Sequence, residues 1–396
     1  MPKSILSTRS SVESLQSNAT THTVPDTLAP AVTGPMVWEG DELDPAKYII
    51  HLHPSEIQNI RAAVIYFKLT GLPRSAISKT TFPLDDGLAS KLSAISAELH
   101  DGRGISVLRG LDDARFNDEE AVIAFAGICS YVAALRATDS YANQTLSHVR
   151  DATHDTVPHW AKDIGLAGSK ITSAMDFHSD RFSGDILALH VRDDGGVDCG
   201  GEQYFTSFWK IYNELLETDP QVLETMAEPN WPFELKQKDR DPYLELGPTL
   251  FFSPRRSGVD SSSKPICQLV KAPLLGSPRI QRDPRMPDLT VQQLHALAAV
   301  EALAKRFATK LQRRKGDVQF VNNLSILHAR SAYGSATERS SRHLLRMFLR
   351  DPALAWDKPA SCKTNFDDPF TPGREQHIPI LDLDPWRRIS GRESHG

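Results

Sequence analysis

From Asp185 onward the chain is written in short apolar runs: DILALHV, TLFFSP, PICQLVKAPLL, VQFVNNLSILHA and HLLRMFLR. Glycine- and proline-rich turns such as DDGGVDCGG cut them apart, and runs of this length bounded by such breakers read as β-strands. Upstream the period changes. Ile57, Ile60, Val64 and Phe67 recur at helical spacing within Ser55–Gly71, with Gly71 as the stop, and Leu88, Leu92, Ile95 and Leu99 repeat the pattern before Gly102. ISVLRGL, from Ile105, reads as a strand, and Asn117 with Glu120 reads as a capping box opening a helix through AVIAFAGICSYVAAL. Helices also interrupt the strand-rich part. They are SFWKIYNELLET, a second started by Asp219 and Pro220 as N-cap and N1, and TVQQLHALAAVEALAKRFATKL, capped by Thr290 and Gln293. A helical N-terminal part followed by short strands with helical insertions predicts a mainly β fold with flanking helices, a sandwich or jelly roll.

The chain has 396 residues, of which 40% are hydrophobic, enough for a substantial core. A net charge of -5 gives no electrostatic case for nucleic acid or an anionic membrane. No apolar run approaches the ~18 residues that cross a bilayer, and the N-terminus has no apolar signal-peptide core. Cys129, Cys199, Cys267 and Cys362 form no CxxC pair, which fits reduced thiols in the cytoplasm better than a zinc or disulfide framework. The Ser/Thr-rich stretch at residues 1–36 reads as a disordered leader, with a mitochondrial transit peptide as the alternative, and 37–396 as one domain with helical insertions.

The stretch SAMDFHSDRFSGD places His178 and Asp180 two residues apart among apolar and aromatic neighbours. On an extended strand such residues share a face. A solvated strand edge would carry the pair at no cost. A non-haem Fe(II) site would use it as two of three ligands. Of the fourteen histidines only His178 has an acid two places on. A later histidine, His328, sits on an apolar strand, where a hydrogen-bonded core role is the plain alternative. Arg342 and Arg346 flank HLL in another apolar strand and, four apart, share one face. They are either strand-end arginines reaching water or clamps for carboxylates, which the guanidinium fork fits in bidentate fashion.

HSD at 178–180, GGEQ at 200–203, NNLSILHAR at 322–330 and RHLLR at 342–346 resemble the taurine dioxygenase and clavaminate synthase family of Fe(II)- and 2-oxoglutarate-dependent oxygenases, fungal members in particular. The family pattern is HxD, a downstream Thr or Ser, a distant His, and an Arg with ten to thirteen residues between the two; here thirteen separate His328 from Arg342. The resemblance implies a double-stranded β-helix (jelly roll) in which His178, Asp180 and His328 hold iron. It further implies that Arg342 binds the distal carboxylate of 2-oxoglutarate and that Arg346 grips an acidic group on a small carboxylate- or amino-acid-like substrate. O₂ would be the other co-substrate and ascorbate the reductant. Where the family often has a Thr touching 2-oxoglutarate, Gln203 stands, with Thr206 and Ser207 just beyond. The outcome would be hydroxylation, desaturation or cyclisation. The competing classes are a non-catalytic binder of 2-oxoglutarate or a small acid, and a zinc-dependent hydrolase on the same ligands.

Four further features are weaker. His51 and His53 read as surface. His148 either reaches the site or makes a structural hydrogen bond. RRSGVDSSSK (Arg255–Lys264) reads as a mobile loop or lid. Tyr204, Phe205 and Trp209 suit core and pocket equally.

Overall fold

The computed structural model describes residues 28–382 apart from 141, 160–165, 197–198, 236–240, 255–262, 277–280 and 336–337. In chain order the first half contains β1 (Ile49–His51), α1 (Pro54–Thr70), α2 (Asp86–His100), β2 (Ile105–Arg109), α3 (Asp118–Val132), β3 (Leu135–Arg136), β4 (Ser147–Arg150), β5 (Met175–His178) and β6 (Ile186–Asp193). Next come β7 (Gln203–Ser207), α4 (Phe208–Thr218), α5 (Pro220–Ala227), β8 (Trp231–Leu235), β9 (Tyr243–Gly247), β10 (Leu250–Phe252) and β11 (Pro265–Cys267). The last elements are α6 (Ala272–Leu275), α7 (Val291–Phe307), β12 (Thr309–Lys310), β13 (Val318–Asn322), β14 (Ile326–Arg330), β15 (His343–Arg350) and α8 (Lys363–Asp367).

Helix ends follow local chemistry. Asn117 with Glu120 and Thr290 with Gln293 form capping boxes on α3 and α7, and Gly71 closes α1 in the left-handed region at φ 68°. His53, expected at the surface, is exposed but works as the N-cap of α1. Its Nδ1 accepts from Ser55 N at 3.3 Å while Glu56 accepts from its backbone N at 2.7 Å. Asp219 occupies the N-cap position of α5, but its side chain makes no cap bond and pairs with His295 at 2.8 Å instead.

Two larger sheets carry the fold. One has seven strands in the order β1-β2-β13-β6-β15-β3, with β4 also on β15; the other runs β12-β7-β14-β5. Their alternation shows which face meets what. In β6, Ile186 and Ala188 join the core built with α1, α2 and α3, whereas Leu187, Leu189 and Val191 join Phe177, Phe205 and Leu327 of the smaller sheet's core. β15 repeats this, with Leu345, Met347 and Leu349 toward the helices and Leu344 and Phe348 toward the other cluster. The larger sheet is therefore buried on both faces, which is why its strands read as near-continuous apolar runs. VQFVNNLSILHA, one run in sequence, supplies a strand to each sheet, β13 and β14, with a turn at Asn323–Ser325.

The packed chain begins earlier than the sequence pattern indicates. Leu28, Ala29, Val32 and Met36 are buried in the core, and Asn213 fastens Val32 by bonds of 2.9 and 2.8 Å to its N and O. Residues 28–36 thus belong to the fold rather than to a leader; residues 1–27 lie outside the described residues. No described helix is long and apolar enough to cross a membrane.

Candidate metal centre

His178 is the last residue of β5, and β5 pairs antiparallel with β14 so that His178 lies directly opposite His328. Directly opposed residues share a face, so both imidazoles project into one space, their ring centroids 4.2 Å apart. Asp180 reaches the same space by a different route from the one expected. The strand ends at His178, and Asp180 lies in the turn beyond it. Asn323 holds that turn, accepting from Asp180 N at 2.9 Å and donating to the carbonyls of Asp180 (2.8 Å) and Gly184 (2.9 Å). Ser179 pins it from the other side through Cys267 O and Leu269 N, both at 2.9 Å.

One ligand atom each from His178, Asp180 and His328 lie within 4.8 Å of one another, the only such group among the described residues. His328 Nε2 is 3.4 Å from Asp180 Oδ2. His178 Nδ1 is 2.7 Å from the Asp176 carbonyl. A carbonyl only accepts, so Nδ1 carries the proton and Nε2 presents its lone pair. Burial, reinforced by His328, pushes the His178 pKa down to about 3, which keeps the ring neutral at physiological pH. Two imidazoles and one carboxylate on one side of a buried space fit the donor set of an Fe(II) site with open positions.

On β15, Arg346 has the parity of Leu344 and Phe348, so its guanidinium turns away from the helical layer; Arg342 immediately precedes the strand and lies against Gly201 and Tyr333. Arg342 and Arg346 are both buried, at 2% and 5% exposure. Arg346 Nε donates to Ser147 Oγ at 3.2 Å, and its charge acts on His178. Arg342 Nε and Nη1 are buried with no hydrogen-bond partner. Burial, then the charges of Arg313 and Arg330, lower its pKa to about 9, so it stays cationic. The Gly200–Gly201 turn packs against it. Gly201 has φ 71°, and a methyl there would lie 2.9 Å from Arg342 Nε.

The candidates near this arginine divide. Gln203 is buried, and its amide pairs reciprocally with that of Gln319 through two 3.0 Å bonds. Thr206 does not face the site. In the β7–β14 register Phe205 lies opposite His328 and Thr206 opposite Leu327, so Thr206 points to the far side of the sheet, where α7 packs. Ser207 caps α4, accepting from Lys210 N at 3.2 Å. Phe205 therefore forms a wall of the site, whereas Trp209 stacks on Trp356 and Tyr204 shares the outward face of Thr206. His148 is structural. It lies opposite Leu345 on the helical side of the larger sheet, with Nδ1 2.8 Å from His343 Nε2. Of the expected lid, residues 255–262 lie outside the described residues.

Asn323, Ser147, Gln319 and Tyr333 escaped the sequence reading. Asn323 stood in the NNLSILHAR motif, but nothing local to it indicates that it bonds a turn 143 positions away.

Comparison with known proteins agrees with this geometry. The family described as "Taurine catabolism dioxygenase TauD, TfdA family" matches residues 66–348. The taurine hydroxylase-like protein SAT17 of Stachybotrys chartarum is 30% identical over 368 residues, covering 92% of this chain and 91% of that one. Among solved structures, an asparagine oxygenase with Fe(II), 3-hydroxyasparagine and succinate superposes with a TM-score of 0.53 at 14% identity, over 79% of this chain and 99% of its own. The non-haem iron oxygenase OrfP with Fe and α-ketoglutaric acid gives 0.51 at 15% identity, over 76% and 93%. At these identities the two structures establish a shared fold. The family match spans most of the chain and contains His178, Asp180 and His328, so the chain belongs to the TauD/TfdA family of 2-oxoglutarate-dependent, non-haem iron dioxygenases.

Proposed function

We propose that this protein is a double-stranded β-helix dioxygenase, a single catalytic domain that oxidises a small carboxylate- or amino-acid-like substrate by hydroxylation, desaturation or cyclisation. The observation that carries the reading is the convergence of His178, Asp180 and His328 within 4.8 Å, with buried Arg346 close enough for its charge to act on His178 and Arg342 buried just before the same strand. In this reading His178, Asp180 and His328 would hold Fe(II). Bound iron with 2-oxoglutarate and O₂ supplies the chemistry that couples decarboxylation to succinate with removal of hydrogen from a C–H bond.

The chain's own residues do the rest. The Asp176 carbonyl fixes the His178 tautomer, and Asn323 fixes the turn that presents Asp180. Arg342 orients 2-oxoglutarate through its distal carboxylate, because a buried guanidinium with open N–H groups needs an anion. Arg346, close enough to His178 to influence it, takes the acidic group of the substrate. Phe205 and the packed sheets keep water away.

The test is succinate release by protein supplied with Fe(II), ascorbate and 2-oxoglutarate, screened against amino acids and other small organic acids. A stimulating acid whose KM rises strongly in Arg346→Gln, with 2-oxoglutarate affinity nearly intact, supports the assignment. If both constants stay put, or only 2-oxoglutarate binding collapses, the acidic-substrate reading is wrong.

A further inference from the structure

Tyr333 stands between two arginines. Its ring centroid is 4.9 Å from Arg342 Cζ and 4.8 Å from Arg330 Cζ. Backbone contacts leave it little freedom. Its N donates to Thr172 O at 2.9 Å, it bridges to Gly200, and a methyl on Gly201 would sit 3.2 Å from its Cβ. The packing would be served equally by phenylalanine. The hydroxyl is nonetheless present and buried with no acceptor for its proton, and Arg342 Nε and Nη1 likewise have none. Folded proteins rarely leave such groups unsatisfied, and several together mark a place where a ligand supplies the acceptors. The Tyr333 oxygen lies within side-chain hydrogen-bonding reach of the Arg342 guanidinium, so the phenolic O–H and the arginine N–H groups lie side by side. Gln203, which occupies the position of the family's second donor, has its carbonyl and one N–H engaged by Gln319.

We infer that the Tyr333 hydroxyl is the second donor to the distal carboxylate of 2-oxoglutarate, completing with Arg342 a receptor in which Gln203 has no direct part. The inference rests on the assignment of Arg342 made above. Arg342 would offer its guanidinium edge and Tyr333 one O–H, so the carboxylate is held from two directions and its plane is set. Arg330 helps fix the Tyr333 ring, since its own Nη2 is tied to Ile171 O at 2.8 Å and to Ser173 O.

The experiment measures binding rather than turnover. Fe(II)-loaded protein is titrated without oxygen with 2-oxoglutarate and with 2-oxobutyrate, which chelates through the same oxo-acid end but lacks the distal carboxylate. The visible absorption of the chelate reports occupancy. Tyr333→Phe should weaken 2-oxoglutarate about tenfold, the loss of one hydrogen bond to a charged group, and leave 2-oxobutyrate unchanged. A Gln203→Leu/Gln319→Leu double variant, which removes both amides together, should keep the wild-type preference for 2-oxoglutarate. If Tyr333→Phe retains full affinity, or weakens both oxo acids alike, the inference is overturned. It is overturned in favour of Gln203 if only the double variant loses the preference. Wild-type protein that binds both oxo acids equally removes the Arg342 assignment itself, an outcome distinct from wild-type discrimination that survives in Tyr333→Phe.

Discussion

Replacing Gly201 by alanine separates backbone strain from contact, because the chain contains a matched control. Gly201 (φ 71°) and Gly71 (φ 68°) have nearly the same left-handed backbone, but a methyl at Gly71 would meet nothing within 4 Å. At Gly201 it would lie 2.9 Å from Arg342 Nε, 3.0 Å from Cδ and 3.2 Å from Tyr333 Cβ. Gly71→Ala should therefore cost only the left-handed penalty, about 1 kcal/mol. Gly201→Ala should cost that plus about 1–3 kcal/mol of overpacking in a buried site. Relief requires Arg342 to move by several tenths of an ångström, which should weaken 2-oxoglutarate about tenfold in Gly201→Ala and not at all in Gly71→Ala. Urea unfolding of the metal-free variants and anaerobic titration of the Fe(II)-loaded ones measure the two effects. Equal destabilisation within about 0.5 kcal/mol, with unchanged 2-oxoglutarate affinity, would refute the claim that this turn positions Arg342.

Three further outcomes follow from buried charge. Asp185 is buried between Arg350 and Lys358, at 3.0 and 3.1 Å, and Asp185→Asn should cost about 3–5 kcal/mol in urea unfolding, because Lys358 loses its carboxylate. Burial alone raises the Asp185 pKa, but Lys358 and then Arg350 bring it below the ordinary value; its stabilisation is complete above about pH 4, is lost as pH falls through the lowered value, and should be missing from the variant's acid limb. Burial, then Arg192 and His343, pushes His190 down to about 3, so between there and about pH 6.5 the unfolded chain binds the extra proton and stability falls with pH; His190→Leu should flatten that fall by up to ~1.4 kcal/mol per pH unit.

Much of the site was legible because its chemistry is local or evenly spaced. HSD at 178–180, His328 and the arginine fourteen positions after it all appear in sequence, and the antiparallel pairing of β5 with β14 then brings the histidines together. The capping boxes of α3 and α7 were equally plain, since each needs only residues three apart. What escaped depends on register and distance. The face of Thr206 is settled by its pairing with Leu327, and one residue of slip would have turned it to the face of His328. Prolines and a glycine in LAPAVTGPM hide the apolar residues that bury Leu28, Val32 and Met36. The role of Asn323 is a hydrogen bond across 143 positions. Tyr333 looks like any aromatic residue until its hydroxyl is seen to be buried without an acceptor.

The central claim is that His178, Asp180 and His328 hold a catalytic iron. Succinate formation from 2-oxoglutarate, followed in wild-type protein and His178→Ala with Fe(II) and ascorbate, in air and without oxygen, tests it most directly. Oxygen-dependent succinate in the wild type alone, lost when zinc replaces iron, is the predicted result. Unchanged turnover in His178→Ala, or an oxygen-independent activity supported by zinc, would contradict it.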